Sequence, residues 1–380
     1  MNPMKKLLIL GAGQMQVPII ALAKRLEYKT VVVDFDKDAP GFKYADVVST
    51  ISTIDRDAIL QLAQEEKVDG ILTTSDYPVR VVAYVGEHLM LPTMTQHVAE
   101  ICTNKFEQRK LFKKNGINTP FFMLCDGNSD LSELKAFPYI VKPVDSSASR
   151  GVVRVHNAEQ LADAIQIACS FSRSGKAIVE SFIGGEEFSV ETLTQGGVTH
   201  IIQITEKLTR GEDKGFFVED THIEPARISN SEAEAIRSEV FKAAEAIGID
   251  NCPTHTEIKL WEGEPYIIEM ACRLGGDFIT SDLVPLSTGI NMMENLIRLS
   301  LGETIDTIPK YHKYSCVQFL NEDNYFRCKE FIEKGNTHIR NYAVDAYRNT
   351  VIKNSLERLG YIIMQADTNE DISKLINLLK

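Results

Sequence analysis

Glu257 and Glu269 are the residues whose type and spacing point most directly to chemistry. Two β-like runs, Thr256–Leu260 and Pro265–Met270, flank a turn centred on Gly263, and the two acids stand equally far from that glycine. In a hairpin of simple register the carboxylates face each other. Directly opposed residues have Cβ atoms about 4.5–5.5 Å apart, and like charges there are destabilising. A divalent cation between them removes the conflict, and oxygen ligands at that spacing suit Mg²⁺ or Mn²⁺. Arg273 follows, with Gly275 and Gly276 behind it. A fixed cation beside flexible backbone fits phosphate or carboxylate handling. The competing reading is an exposed hairpin whose acids sit on a solvated face.

Two upstream segments weigh against that reading. The apolar run Phe137–Val141 ends at Lys142, and a loop of small residues follows, with Ser146, Ser147, Ser149 and Gly151, before a strand at Val152–Val155. A strand, a Ser/Gly-rich turn and a strand make a flap whose backbone N–H groups can wrap phosphate oxygens. No GK[ST] closes it, so it is not a Walker A loop. Then comes Ala177–Glu191, with Glu180, Ser181, Phe182 and Ile183 leading into Gly184-Gly185. A strand that ends in two glycines and resumes is a hinge between two lobes, with backbone groups able to bond a flat heterocycle. Glu187 is placed to accept hydrogen bonds from ribose hydroxyls.

The elements that must position these residues are legible from pattern. Leu7–Leu10 is a strand, 11–16 a turn, Val17–Arg25 a helix and Thr30–Asp34 a strand, a βαβ start. Its glycine fingerprint is partial, because Gln16 stands at the third glycine. Asp55–Glu66 reads as a helix, and Gly70–Thr74 as a buried strand ending in a substrate-facing loop at Ser75–Tyr77. Asn104–Asn115 is a helix with an Asn-x-x-Glu start and Gly116 after its end. Ala158–Phe171 has helical apolar spacing, and Val198–Glu206 is a strand. Lys207–Phe217 is a charged, glycine-containing stretch expected to be a mobile loop over the site. Ser231 and Glu234 are expected to form the capping box of a helix, and Met292–Leu301 is a further helix. From about 311 onward a small α/β tail has strands near Tyr314–Phe319 and Tyr361–Gln365, with no motif chemistry.

In this order, the segments resemble the ATP-grasp superfamily. The matching pieces are Asn104-Lys105, Val141-Lys142-Pro143, the 145–151 loop, Val179–Ile183, Glu187–Glu191, Glu257 and Glu269–Gly276. They run across roughly residues 1 to 310, and the nearest resemblance is to the carboxylate–amine ligases, including L-amino-acid ligases. The resemblance implies an α/β and α+β fold: a Rossmann-like domain over 1–103 that helps form the acceptor pocket, and an ATP-grasp domain over 104–310. That second domain would have a small lobe near 117–183 and a large lobe near 184–310, followed by a small C-terminal α/β domain over 311–380. It implies ATP and Mg²⁺ (or Mn²⁺) as cofactors, Glu257 and Glu269 as metal ligands, and Lys105 and Lys142 on the nucleotide phosphates. Arg273 would stabilise the transferred phosphoryl group and the tetrahedral adduct, with Gly276 N–H as a further donor. Glu219 or His222 would take the amine proton or orient the substrate. The reaction would be two-step, an acyl phosphate formed with release of ADP and then displaced by an amine. Many relatives carry Asn two residues after the second metal-binding Glu; this chain has Ala271, which leaves the number of bound metals open.

Composition agrees with a cytoplasmic enzyme of two or three domains: 380 residues, 44% hydrophobic and 25% charged. A net charge of −12 argues against a nucleic-acid partner. The seven cysteines form no CxxC pair and read as reduced thiols. Leu7–Leu10 is too short for a signal-peptide core and no segment is suited to span a membrane. ATP, a small carboxylate and a small amine are the expected partners, with a second copy of the chain a further candidate. Three other functions stay open: an ATP-dependent carboxylase acting through carboxyphosphate, an NAD-dependent oxidoreductase resting on Gly11, Gly13 and Asp34, and a non-catalytic nucleotide-binding module.

Overall fold

The computed structural model describes residues 4–147, 149–211 and 218–380. The chain opens with a parallel sheet of β1 (Lys6–Leu10), β2 (Lys29–Asp34), β3 (Val47–Thr50) and β4 (Gly70–Leu72), in the order β3-β2-β1-β4. The strands of such a sheet are buried on both faces, so β1 and β2 read as continuous apolar runs. Leu8, Leu10, Val31 and Val33 pack on one side, toward α2 (Arg56–Glu66) and α3 (Val79–Leu89). Leu7, Ile9 and Val32 pack on the other, with Ile19 and Ile20 of α1 (Val17–Arg25). β4 is shorter than the run Gly70–Thr74 suggests, because the Thr73 hydroxyl turns back to the Leu10 carbonyl at 2.9 Å. A helix at α4 (Gln96–Cys102) leads into α5 (Lys105–Lys114), where the Asn104 side chain accepts the Phe106 and Glu107 N–H groups.

Residues 122–181 form an antiparallel sheet of β5 (Phe122–Cys125), β6 (Tyr139–Pro143), β7 (Val153–Val155) and β8 (Ala177–Ser181), in the order β5-β8-β6-β7. α6 (Leu161–Phe171) covers one face of it through Leu161, Ile165 and Ala168.

An eight-stranded antiparallel sheet takes most of the remaining chain. Its strands are β9 (Glu186–Gln195), β10 (Val198–Arg210), β11 (Val218–Glu224), β12 (Cys252–Trp261), β13 (Glu264–Ala271), β14 (Tyr314–Phe319), β15 (Ile339–Val344) and β16 (Gly360–Ala366). The order is β13-β12-β9-β10-β11-β14-β16-β15. The strands of the C-terminal residues therefore continue the same sheet, joined where β11 pairs with β14. α7 (Asn230–Ile247) lies on it with Ile236, Val240 and Ile247 against Val190, Ile204 and Ile258.

Two expectations change here. The capping box of α7 is Ser229 with Glu232, each side chain bonding the other's backbone N–H, and not Ser231 with Glu234. Both frames satisfy S-x-x-E; the earlier one lets two more residues join an already nucleated helix. The stretch expected to be a loop from Lys207 begins instead as strand: β10 runs through Arg210 and pairs with β11. The rest of that stretch, 212–217, lies outside the described residues. Among the described residues no helix is long and apolar enough to cross a membrane.

Candidate active site

The hairpin of β12 and β13 turns at Glu262-Gly263, with φ of 52° and 82°. Left-handed conformation at both central residues matches the twist of the flanking strands, and glycine adopts it without penalty. A two-residue turn pairs Trp261 with Glu264 and Ile258 with Ile267. Continued regularly, it would set Glu257 against Ile268 and send Glu269 to the other face. A bulge between Glu257 and Ile258 absorbs one residue and makes Glu257 and Glu269 direct partners. The acids face each other because of that irregularity.

Neither acid stands alone. Lys105 Nζ reaches Glu269 at 2.9 Å and the Ser146 carbonyl at 2.8 Å, so α5 joins this acid to the serine loop. Lys207 Nζ sits among three carboxylates, 2.9 Å from Glu187, 3.0 Å from Glu219 and 3.4 Å from Glu257. Burial alone would pull its pKa down; Glu187, Glu257 and Glu219 together raise it well above the usual lysine range. In return, Lys207 holds the Glu257 carboxyl well below its ordinary value. His255 Nδ1 lies 2.5 Å from Glu191, and its Nε2 3.8 Å from Glu257. Burial disfavours its charge, but Glu191 overrides that and lifts the imidazole to about 9.

These groups share one sheet face because adjacent strands place them in rows. Lys207 pairs with Glu187 and also with His222, and Lys259 pairs with Glu187. Lysines thus flank an acid across three strands, an arrangement opposite charges favour. The Gly184-Gly185 link sits tight against β12. A Cβ on Gly185, where φ is 82°, would lie 2.0 Å from the Leu260 carbonyl oxygen.

On the opposite wall, Lys142 Nζ pairs with Glu180 at 2.7 Å, and Glu180 pairs with Arg109 at 2.7 Å. Burial lowers the Lys142 pKa despite Glu180. Burial would raise Glu180, but Arg109 and Lys142 hold it low. Arg273 Nε reaches Asp76 at 2.7 Å, from the loop after β4, and Nη1 donates to the Leu274 carbonyl. Asp76 keeps the guanidinium charged in spite of its burial.

A cavity of about 810 Å³ joins these groups, within the range typical of small-molecule sites. The described residues expected for the site from sequence all line it, except Gly151: Lys105, Lys142, Ser146, Ser147, Ser149, Glu180–Ile183, Glu187, Glu219, His222, Glu257, Glu269, Arg273 and Gly276. Gly151 packs instead beside Phe171. His222 is fully buried, with no hydrogen-bond partner on either ring nitrogen among the described residues. Burial drives its pKa down to about 3, so the ring is neutral and a poor proton acceptor.

The C-terminal residues, where the sequence shows no motif chemistry, reach this site. Lys353, Asn354, Ser355 and Leu356 line one end of the cavity. Behind them Arg358 pairs with Asp277 at 2.8 Å and Glu219 at 3.0 Å, over the Phe319 ring. Sequence reasoning left out Arg109, His255 and Lys259, and placed Asp76 and Lys207 only within stretches expected to face or cover the site. His255, Glu257 and Lys259 alternate along β12, as do Glu187 and Glu191 along β9. Charged residues at period two among valines and isoleucines were the available signal. Nothing local marks Arg358.

Residues 135–282 match the family model described as an ATP-grasp domain. The formate-dependent phosphoribosylglycinamide formyltransferase of Bacteroides thetaiotaomicron is 26% identical over 255 residues, 65% of this chain and 65% of that one. The alanine–anticapsin ligase of Bacillus subtilis is 28% identical over 245 residues, 57% of this chain and 51% of that one. The matches to these curated relatives thus span about half to two thirds of their length. Among solved structures, the L-amino acid ligase from Bacillus licheniformis superimposes with a TM-score of 0.79 at 26% identity, over 99% of this chain and 96% of that one.

Proposed function

We propose that the chain, whose residues 135–282 match an ATP-grasp domain, is an ADP-forming carboxylate–amine ligase that makes an amide through an acyl phosphate, with an amino acid as one substrate. One observation carries the reading. The opposed Glu257 and Glu269 line the same cavity as Lys142, Glu180, Arg273 and Glu219. A nucleotide beside Lys142 and Glu180 would present its terminal phosphate to an acid held by Arg273.

The acid pair fits a hard divalent cation such as Mg²⁺ or Mn²⁺, because both donors are carboxylates, opposed in the sheet and lining the cavity. Each now pairs with an ammonium group, Glu257 with Lys207 and Glu269 with Lys105, which a bound ion would have to share or displace. When bound there, the ion would offset charge on the phosphate oxygens. The protein's own residues do the rest. Lys105, the backbone at Ser146, Ser147 and Ser149, and Lys142 hold the phosphates; Glu180–Ile183 and Glu187 hold the nucleoside. Phosphoryl transfer needs positioning and charge neutralisation more than covalent help. Arg273, permanently charged, faces the transferred phosphoryl group and then the tetrahedral adduct, with Gly276 N–H as a further donor. The attacking amine must lose a proton. Glu219 is the acceptor of the pair considered, since burial leaves His222 too weak a base to hold the proton.

The test is the intermediate. With hydroxylamine replacing the amine, a screen of amino acids and other small acids should yield a hydroxamate with one ADP per product. Label from an ¹⁸O-carboxylate should appear in phosphate. AMP and pyrophosphate would sink the acyl-phosphate route, and a strict bicarbonate requirement would move the assignment to carboxyphosphate chemistry. An absence of ATP turnover with every acid would leave a nucleotide-binding module.

A further inference from the structure

β13 is the edge strand of the large sheet, so among the described residues one side of its backbone has no strand to pair with. Edge strands need their free N–H and C=O groups satisfied or covered. α5 does this with side chains. Gln108 donates to the Met270 carbonyl at 2.8 Å and accepts the Met270 N–H at 2.9 Å, as a neighbouring strand would. Arg109 donates through Nη2 to the carbonyl of Ile268, next to the bulge. Lys105, on the same helix face, holds Glu269 itself. Spacing of three and four residues puts all three on one side of the helix. Consecutive residues 268, 269 and 270 are therefore each gripped by one α5 side chain.

Arg109 also reaches the other wall, since its Nε holds Glu180 and Glu180 holds Lys142. Neither Gln108 nor Arg109 lines the cavity, and both are buried, at 1% and 0% exposure. Packing alone is a poor reason for this arginine. Its Nη1 is buried with no hydrogen-bond partner among the described residues, and buried ion pairs are often no more stable than apolar replacements. What the arginine supplies is geometry.

We propose that Gln108 and Arg109 are positioning residues of the nucleotide site. Gln108 sets the register of β13 and so aims Glu269 into the cavity. Arg109 ties that strand to the Glu180–Lys142 pair, so that the metal side and the nucleotide side are built to one frame. The inference rests on the nucleotide reading given above, and its test separates the two.

The experiment is calorimetric titration of wild type, Gln108→Leu and Arg109→Lys with MgATP, and separately with ADP in EDTA. Melting curves accompany each protein. Loss of a supporting partner typically weakens metal binding about 10–100-fold. Gln108→Leu should weaken MgATP binding on that scale and leave metal-free ADP binding within about twofold, because it touches only the metal side. Arg109→Lys keeps the charge but cannot span Glu180 and the Ile268 carbonyl together, so it should weaken both. A general loss of structure would lower both ligands alike in both variants, in step with melting temperature, and would overturn the proposal. So would two folded variants that bind both ligands as wild type does. A wild-type protein that binds neither ligand would refute the nucleotide reading itself, and this inference with it.

Discussion

Glu257 and Glu269 are opposed in the sheet yet differently supported. Without Glu257, Lys207 keeps Glu187 and Glu219; without Glu269, the buried Lys105 keeps, among the described residues, only the Ser146 carbonyl. Glu269→Gln should therefore reduce MgATP affinity by about 100-fold or more, roughly 2.7 kcal/mol, and Glu257→Gln by less. Calorimetric titration of the two variants checks the order. Near-wild-type binding by Glu269→Gln would remove the metal assignment. His222 gives a second prediction at this scale. The folded ring stays neutral down to about pH 3, whereas an unfolded histidine protonates near 6.5. Between those values the unfolded chain binds the extra proton, so stability rises with pH across that window and its contribution is complete above 6.5. Melting temperature should accordingly fall more steeply from pH 7 to pH 5 in wild type than in His222→Gln. Parallel pH profiles would mean that the folded ring takes up its proton over the same pH range as the unfolded one.

At the scale of elements, two glycines with φ of 82° separate backbone conformation from close approach. Gly263, at the tip of the β12–β13 hairpin, has open space where a Cβ would stand; Gly185 has the Leu260 carbonyl 2.0 Å away. Gly263→Ala should cost roughly 1–2 kcal/mol, the penalty for left-handed backbone alone. Gly185→Ala adds a clash that only movement of β12 relieves. It should cost on the order of 4 kcal/mol or more, among the largest single-residue effects. Urea unfolding of the two variants measures the difference, and equal midpoints would show that the Gly184-Gly185 link yields freely. Elements of this size were largely readable in the sequence. The bounds of α1 and of β14 follow from their apolar patterns, and Asp55 and Asn104 cap the helices they were expected to start. The Ser229 box was missed because two equivalent frames overlap and local pattern cannot rank them. The Ile268 bulge was missed for a related reason: equal spacing about Gly263 predicted the correct acid pair, but a two-residue turn needs the bulge to reach it.

For the whole molecule, the first sheet weighs against a dinucleotide. In a dinucleotide fold the glycine turn meets the pyrophosphate and the acid ending the second strand binds ribose. Here the Asp34 carboxylate is taken by the N–H groups of Ala12, at 2.7 Å, and Asp36, at 3.0 Å. The Gln16 side chain lies against Gly11 and Gly13 and bonds Thr74 and Ser75. Fluorescence titration with NADH should show no saturable binding; a tight, stoichiometric complex would restore the oxidoreductase reading. The loop after β4 serves the large cavity instead, through Asp76 on Arg273.

The sequence by itself determined the acid hairpin, the serine loop, the Gly-Gly link and their order along the chain. Each is a local pattern, written in residues close enough to share a turn or a strand face. Only the tertiary structure decided what those residues meet. Lys207 lies among three acids because β10 pairs with β9 and β11 and β12 pairs with β9, and Arg273 meets Asp76 across nearly two hundred positions of chain. Arg358 reaches Asp277 and Glu219 because the C-terminal strands extend the sheet at β11. Strand order is set by how whole faces bury against one another. Periodicity along the chain fixes which side of a strand is charged, and the packing of the sheet fixes which charge stands opposite.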